Sequence, residues 1–269
     1  MSRVPDSEAW KVFWRSKAHD FCARPSLELI EIILRLLPAE GGRVLEVGAG
    51  RGVDSRALAD RGARVVAIDY SPEALTRQGM VRGDSRMSVV QADAFSLPFD
   101  EGCFDVVFHQ GLLEHFHDPL PMAREHLRVV RPGGHLVVDV PQKFTYYHLR
   151  KKLLIALGHW PVWERSYSRG ELYRLAAALG AFSLMIYPRG YYPRLLSYIR
   201  NLWKAVEWGY VRAPLLKWTL WHYERSWRAS GLDTLVCQDI GIVIQKPLAV
   251  SAERTSYSRP CSGQVVNAP

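Results

Sequence analysis

Short apolar, β-branched runs recur along the first half of the chain, each followed by a stretch of helical periodicity. RVLEV (43–47), ARVVAID (63–69), MSVVQAD (87–93), FDVVFHQ (104–110) and HLVVDVP (135–141) are five predicted strands. Between them, SRALADRG, SPEALTRQGM and residues 119–130 predict helices, with Ser71 as a cap, Pro72 at the first helical position, and RPGG (131–134) as the stop before the fifth strand. Before them, 7–37 reads as two amphipathic helices, with Leu27, Ile30, Leu34 and Leu37 at helical spacing, ended by Pro38 and Gly41-Gly42. Runs this apolar are buried on both faces, so the alternation predicts a parallel sheet covered by helices on each side, with right-handed crossovers.

After 141 the alternation weakens. Residues 144–158 predict a basic helix, 168–180 a helix with a glycine stop, and 181–188 and 234–247 two further strands. Residues 191–230 interrupt this order as an insertion, and 251–269 are polar, which predicts a disordered tail.

Charge divides the chain as the pattern does. Residues 1–140 hold 17 Lys and Arg against 20 Asp and Glu, a net of −3; residues 141–269 hold 18 against 7, a net of +11. Seven of the nine Trp lie in the second part. With 48% hydrophobic residues the chain can bury a sizeable core, which excludes global disorder. The four cysteines stand singly with no C-x-x-C pair, which argues against a zinc ribbon or a disulfide scaffold. No apolar leader and no uncharged apolar run of about 18 residues is present. These features predict a cytoplasmic protein without a transmembrane helix.

The candidate chemistry lies at strand ends. Glu46-Val47-Gly48-Ala49-Gly50-Arg51-Gly52 follows a strand and precedes a helix, the setting of a nucleotide-binding turn. Val53 stands at the last glycine position of the dinucleotide G-x-G-x-x-G pattern. Asp69 ends the second strand, 21 residues after Gly48, where a carboxylate can accept both hydrogen bonds of a ribose diol. Asp93 ends the third strand in QADAFSLPF and can accept from an exocyclic adenine amine beside Ala94 and Phe95.

Taken together, these segments resemble the class I S-adenosylmethionine-dependent methyltransferases, most closely the type 11 group that includes quinone-biosynthesis enzymes. VLEVGAGRG resembles their first motif, VVAIDYS the second and QADAFSLPF the adenine-side motif. FDVVFHQGLLEHF resembles the fourth strand with its active-site loop, and RVVRPGGHLVVDVP the turn into the fifth. The resemblance implies a Rossmann-like α/β fold, a seven-stranded sheet in the order 3-2-1-4-5-7-6 with the last strand antiparallel. It implies S-adenosylmethionine as cofactor. Gly48, Ala49, Gly50 and Gly52 would form the turn along its methionine part, with Glu46 orienting that loop or meeting the amino group. Asp69 would bind the ribose, Tyr70 and Ser71 would flank the adenosine, and Asp93 and Ala94 would hold the adenine. Gln110 and Gly111 would lie beneath the sulfonium. The implied organisation is a helical cap over 1–40, a methyltransferase domain over 41–247 and a tail over 248–269.

Methyl transfer is an in-line displacement at an already activated carbon, so alignment matters most. A hydroxyl or ammonium acceptor must also lose a proton. His115, in Glu114-His115-Phe116-His117, is the candidate base, with a structural loop role as its alternative. Nothing places His115, His117 and Asp118 on one helix face, so no metal site is assigned. The expected acceptor is a small molecule or a lipid-linked one, O-methylation ranking before N- or C-methylation. A nicotinamide-dependent oxidoreductase and a non-catalytic cofactor-binding protein are the competing functions; Val53, Asp93 and the R-P-G-G turn argue against the first.

The insertion holds seven Lys and Arg against two Glu, with five Trp and five Tyr. It is read first as a helical lid and second as an element on an anionic membrane surface, which would place the protein peripherally at the inner membrane. Residues 148–160 reinforce the second reading. Nucleic acid ranks last, because no RNA-binding module accompanies the basic residues.

Overall fold

The computed structural model describes residues 25–77, 86–158, 163–190, Arg225 and 237–248. The first of the two N-terminal helices, nearly all of the 191–230 insertion and the C-terminal tail lie outside the described residues. In chain order the elements are α1 (Leu27–Leu36), β1 (Arg43–Val47), α2 (Val53–Ala59), β2 (Arg64–Asp69), α3 (Pro72–Arg77) and β3 (Met87–Gln91). There follow β4 (Phe104–Gln110), a 3-10 turn (Leu113–His115), α4 (Leu120–Val129), β5 (Val130–Pro141), α5 (Tyr146–Ala156), α6 (Arg169–Ala178), β6 (Phe182–Arg189) and β7 (Asp239–Gln245).

The seven strands form one sheet in the order β3-β2-β1-β4-β5-β7-β6. β1 to β5 pair in parallel, and β7 runs antiparallel between β5 and β6. The expected order and orientation are therefore those observed. Each face of the sheet carries its own core. Leu45, Val47, Val107, Leu136 and Val138 face α4 and α6, whose Met122, Leu127, Leu172 and Leu175 complete one cluster. Val44, Val65, Val106, Phe108 and Val137 face α1 and α2 through Leu29, Ile30, Ile33 and Leu58. The alternation of neighbours such as Val106 and Val107 between clusters is the period-2 side-chain rule of a strand buried on both sides.

Local chemistry closes the elements. The Ser71 hydroxyl accepts from the Ala74 N–H at 3.2 Å at the start of α3. Thr145 caps α5 by accepting from the His148 N–H at 3.1 Å. Ser168 and Glu171 form a reciprocal capping box on α6. At the sheet's far edge the Tyr187 ring lies over Gly241, where a Cβ would meet ring atoms at 1.9 Å. Only glycine leaves room for that ring.

One expectation is corrected here. R-P-G-G does not separate helix from strand; β5 already begins at Val130 and runs through it. Val130 pairs with Phe104, and the ladder shifts register before Val106 meets His135. The irregularity absorbs a left-handed Gly133 (φ 74°). Gly134 passes so close to β4 that a Cβ would lie 2.7 Å from the Asp105 carbonyl oxygen. Proline and glycine here mark a bulge within the strand rather than its boundary.

The strand order reverses between β1 and β4. In a parallel α/β sheet the loops there diverge to opposite faces and leave a crevice at the carboxyl ends. The β1, β2 and β4 ends carry Glu46, Asp69 and Gln110.

Candidate active site

The turn after β1 is built by three glycines with left-handed backbone, Gly48 (φ 70°), Gly50 (φ 52°) and Gly52 (φ 63°). A side chain at these angles is strained, which explains why the turn is glycine-rich. The Ala49 N–H donates to the Ile68 carbonyl at 2.8 Å, which lashes the turn to the end of β2. Asp69 completes the connection. One carboxylate oxygen accepts from the Gly50 N–H at 2.8 Å, and the other from the Ser71 N–H at 2.9 Å. Burial raises its pKa, and the N–H groups of Ser71, Gly50 and Tyr70 oppose that shift. A carboxylate has about four lone-pair sites, so these three backbone donors leave acceptor capacity for a ribose hydroxyl. Asp69 thus suits the ribose-binding position while it also holds the glycine turn in shape.

Glu46 lies behind the turn and is buried. Its carboxylate accepts from the Ser55 N–H at 3.0 Å and from the Ser55 hydroxyl. Burial, then the nearby Asp54 carboxylate, push its pKa up to about 8. Of its two expected roles, orienting the loop is the one that these contacts serve.

After β3, Asp93 turns one carboxylate oxygen to the Phe95 N–H at 2.9 Å. Phe95 meets Phe116 edge-to-face, with ring centroids 5.0 Å apart. The carbonyl of Ala94 accepts from the buried His126 ring at 3.1 Å, which ties this loop to α4. Tyr70 is half exposed beside Ser71, and its carbonyl accepts from the Gln91 amide at 3.1 Å. Asp69, Tyr70 and Ser71 therefore share one ridge with the end of β3.

Gln110 ends β4, opposite Asp139 on β5. The amide orientation that satisfies its neighbours places its nitrogen 3.2 Å from an Asp54 oxygen and 2.8 Å from Ser26 Oγ, and its oxygen 2.9 Å from Arg189. Arg189, the last residue of β6, grips Asp139 through two nitrogens at 2.6 and 3.0 Å and lies 3.4 Å from Asp239. It also donates to Ser26 Oγ at 3.3 Å, and the Ser26 N–H donates to Asp54 at 2.6 Å. Burial raises Asp54 and takes Asp239 up to about 7, with Arg189 opposing both shifts. This network was not foreseen from sequence. Asp139, a carboxylate within the apolar run of β5, was its one visible signal; Arg189 lies 79 positions beyond Gln110 and had none.

Next to Gln110, Gly111 (φ 68°) is exposed and donates its N–H to the Asp139 carbonyl at 3.1 Å. The 3-10 turn follows. Glu114 is buried, one of its carboxylate oxygens has no hydrogen-bond partner among the described residues, and burial with the nearby Glu164 holds its pKa well above the usual range. The His115 ring is half-buried. Its Nδ1 lies 2.9 Å from the Trp163 carbonyl, and since a carbonyl can only accept, Nδ1 carries the hydrogen. Burial lowers its pKa below the ordinary histidine value, with the backbone of Trp163 and of Gly111 opposing, which favours the neutral ring near pH 7. His117 faces the other way in function: its ring packs on that of Trp163, centroids 3.9 Å apart.

The arrangement is thus a turn of backbone donors, a carboxylate at each of two neighbouring strand ends, and a neutral imidazole past the third. Residues 45–138 match the family described as a methyltransferase domain. Over 103 residues the chain is 44% identical to a demethylmenaquinone methyltransferase of Clavibacter sepedonicus, covering 38% of this chain and 42% of that protein. Over 105 residues it is 39% identical to a ubiquinone biosynthesis O-methyltransferase of Xanthomonas campestris pv. campestris, covering 37% and 43%. The chain thus spans about two fifths of the length of the curated relatives it matches. In fold it is similar to a SAM-dependent methyltransferase of Thermotoga maritima, with a TM-score of 0.59, 14% identity, and 88% and 99% of the two chains covered. The matched segment runs from β1 to β5 and so contains the glycine turn, Asp69, Asp93 and Gln110. Arg189 lies beyond it.

Proposed function

We propose that this protein transfers a methyl group from S-adenosylmethionine to a small-molecule or lipid-linked acceptor at the carboxyl ends of β1, β2 and β4. The observation that carries this reading is the joint between the glycine turn and Asp69, the 2.8 Å bond from Gly50 to its carboxylate. It fixes a turn of backbone donors beside a carboxylate with acceptor capacity left for a ribose hydroxyl. Bound there, S-adenosylmethionine supplies an electrophilic methyl carbon on a positively charged sulfur. Gly48, Ala49, Gly50 and Gly52 line its methionine part, Asp69 takes the ribose, Tyr70 and Ser71 flank the adenosine, and Asp93 and Ala94 hold the adenine. Gln110 and Gly111 lie nearest the sulfonium. His115, neutral and oriented by the Trp163 carbonyl, takes the proton from a hydroxyl acceptor. O-methylation is favoured, in keeping with the similarity to a ubiquinone biosynthesis O-methyltransferase.

The reading places the protein in the cytoplasm and peripherally at the inner membrane surface. The basic second half supports the peripheral placement. Among the described residues no helix is long and apolar enough to cross a membrane.

Thermal unfolding with S-adenosylmethionine, S-adenosylhomocysteine and NAD tests the reading. Both adenosyl compounds should raise the melting temperature and NAD should not; a shift from NAD alone would overturn it. Asp69→Ala should abolish the adenosyl shifts, and an undiminished shift removes the ribose assignment.

A further inference from the structure

α5 is turned against the usual order of burial. Its sequence, YYHLRKKLLIA, has three cations and no acid. Lysine is normally the exposed residue of a surface helix and leucine the buried one. Here Lys151 is 1% exposed, while Leu149, Leu153 and Leu157 are 67%, 61% and 58% exposed. At about 100° per residue the three leucines fall within an arc of about 80°, and Lys151 points away from it.

Tight polar contacts hold this orientation. Lys151 Nζ donates to Glu164 at 2.6 Å and to Ser166 Oγ at 2.7 Å. The strand-like segment behind them is anchored in turn, since Tyr167 donates its N–H to the Pro141 carbonyl and accepts from the Lys143 N–H, both at 2.8 Å. Rotating α5 to bury its leucines would strip the Glu164 carboxylate of this cation. The ion pair therefore selects the face that is presented outward, a specificity role for a buried charge pair.

The outward face is apolar with a cationic border. Lys152 is exposed beside Leu153, and Phe144, just before the cap, is 63% exposed. Around His148, burial first and then Lys151, Lys152 and Lys143 lower its pKa, with Glu164 opposing. An apolar strip rimmed by cations matches the boundary between acyl chains and anionic headgroups. A second copy of the chain fits less well, because a two-fold contact through this strip would set the cations of one α5 against those of the other.

We propose that the outward face of α5, Leu149, Leu153 and Leu157 bordered by Lys152, docks the protein on an anionic lipid bilayer. This rests on the peripheral placement above and assigns it to one surface. The opposite side of α5 is joined through the Lys151–Glu164 pair to the segment that carries Trp163, whose carbonyl meets His115.

Co-sedimentation of the full chain with phosphatidylcholine vesicles, with and without phosphatidylglycerol, tests it. The wild type should bind the anionic vesicles and be released by high salt. Replacing Leu149, Leu153 and Leu157 together by Ser should lower the bound fraction at least tenfold, and Lys152→Glu should weaken only the phosphatidylglycerol-dependent part. Because the leucines are exposed, the melting temperature should hold, and so should its shift with S-adenosylmethionine, which tests the catalytic reading separately. A triple variant that sediments like the wild type overturns the assignment to α5. A wild type that binds neither vesicle overturns the peripheral placement itself. A dimer by light scattering that the triple variant converts to monomer shows that a second copy covers the face, and overturns the lipid.

Discussion

At the scale of single residues, the glycine turn and Asp69 were legible because they act locally. A left-handed backbone demands glycine wherever it occurs, and a carboxylate at the end of the next parallel strand lies beside that turn in any sheet of this topology. The sequence also pointed to Glu46, but burial decided its state. With a pKa of about 8 in the folded chain and an ordinary one when unfolded, Glu46 takes up a proton on folding between those two values. Stability from such a group is fully present below about pH 4.5 and is lost as pH rises toward 8. Glu46→Gln in the ligand-free protein should therefore flatten the decline of the melting temperature between those limits. A pH profile parallel to that of the wild type would refute the buried, protonated carboxyl. Asp69→Ala should also cost about 1–3 kcal/mol, since it leaves the Gly50 and Ser71 N–H groups without their acceptor.

At the scale of elements, hydrophobic period located all seven strands and the helices between β1 and β5. It failed where propensity and tertiary contact disagree. R-P-G-G carries the strongest turn-forming residues in the chain, yet the strand runs through it, because pairing with Phe104 and the close approach to Asp105 outweigh local preference. The helix at 144–158 was found, and its orientation was not: periodicity identifies an apolar stripe but cannot say whether a core or the outside receives it. A single ion pair decides this for α5. Lys151→Met should destabilise the protein by about 3–5 kcal/mol by leaving Glu164 buried without its cation. Adding Glu164→Gln should recover part of that loss. A denaturant midpoint unchanged by Lys151→Met would show that the pair does not hold the helix.

Across the whole molecule, charge and chemistry separate along the sheet. The near-neutral half builds β1 to β5 and the matched domain, while the basic half contributes α5, α6 and the antiparallel edge. Arg189 joins the two, reaching from the end of β6 to Asp139, to Gln110 and to Ser26 at the head of α1. Arg189→Lys keeps the charge and loses the planar two-pronged grip. It should weaken binding of S-adenosylmethionine about tenfold by releasing Gln110, and leave 5′-methylthioadenosine, which has a neutral thioether in place of the sulfonium, unaffected in calorimetric titration. Equal losses for both ligands would make Arg189 a fold-stabilising residue alone.

The sequence by itself determined the class of fold, the strand order through its family resemblance, and the residues at the turn and at the ends of the first four strands. These depend on side-chain period and backbone conformation, which are properties of short segments. Tertiary structure alone decided which distant charges meet. It brought Arg189 to Gln110 and Lys151 to Glu164, placed protons on Glu46 and His115, and turned three leucines outward. Each of these depends on burial and on pairing across the sheet, where the loss of water makes a neighbouring charge count for more than any local preference.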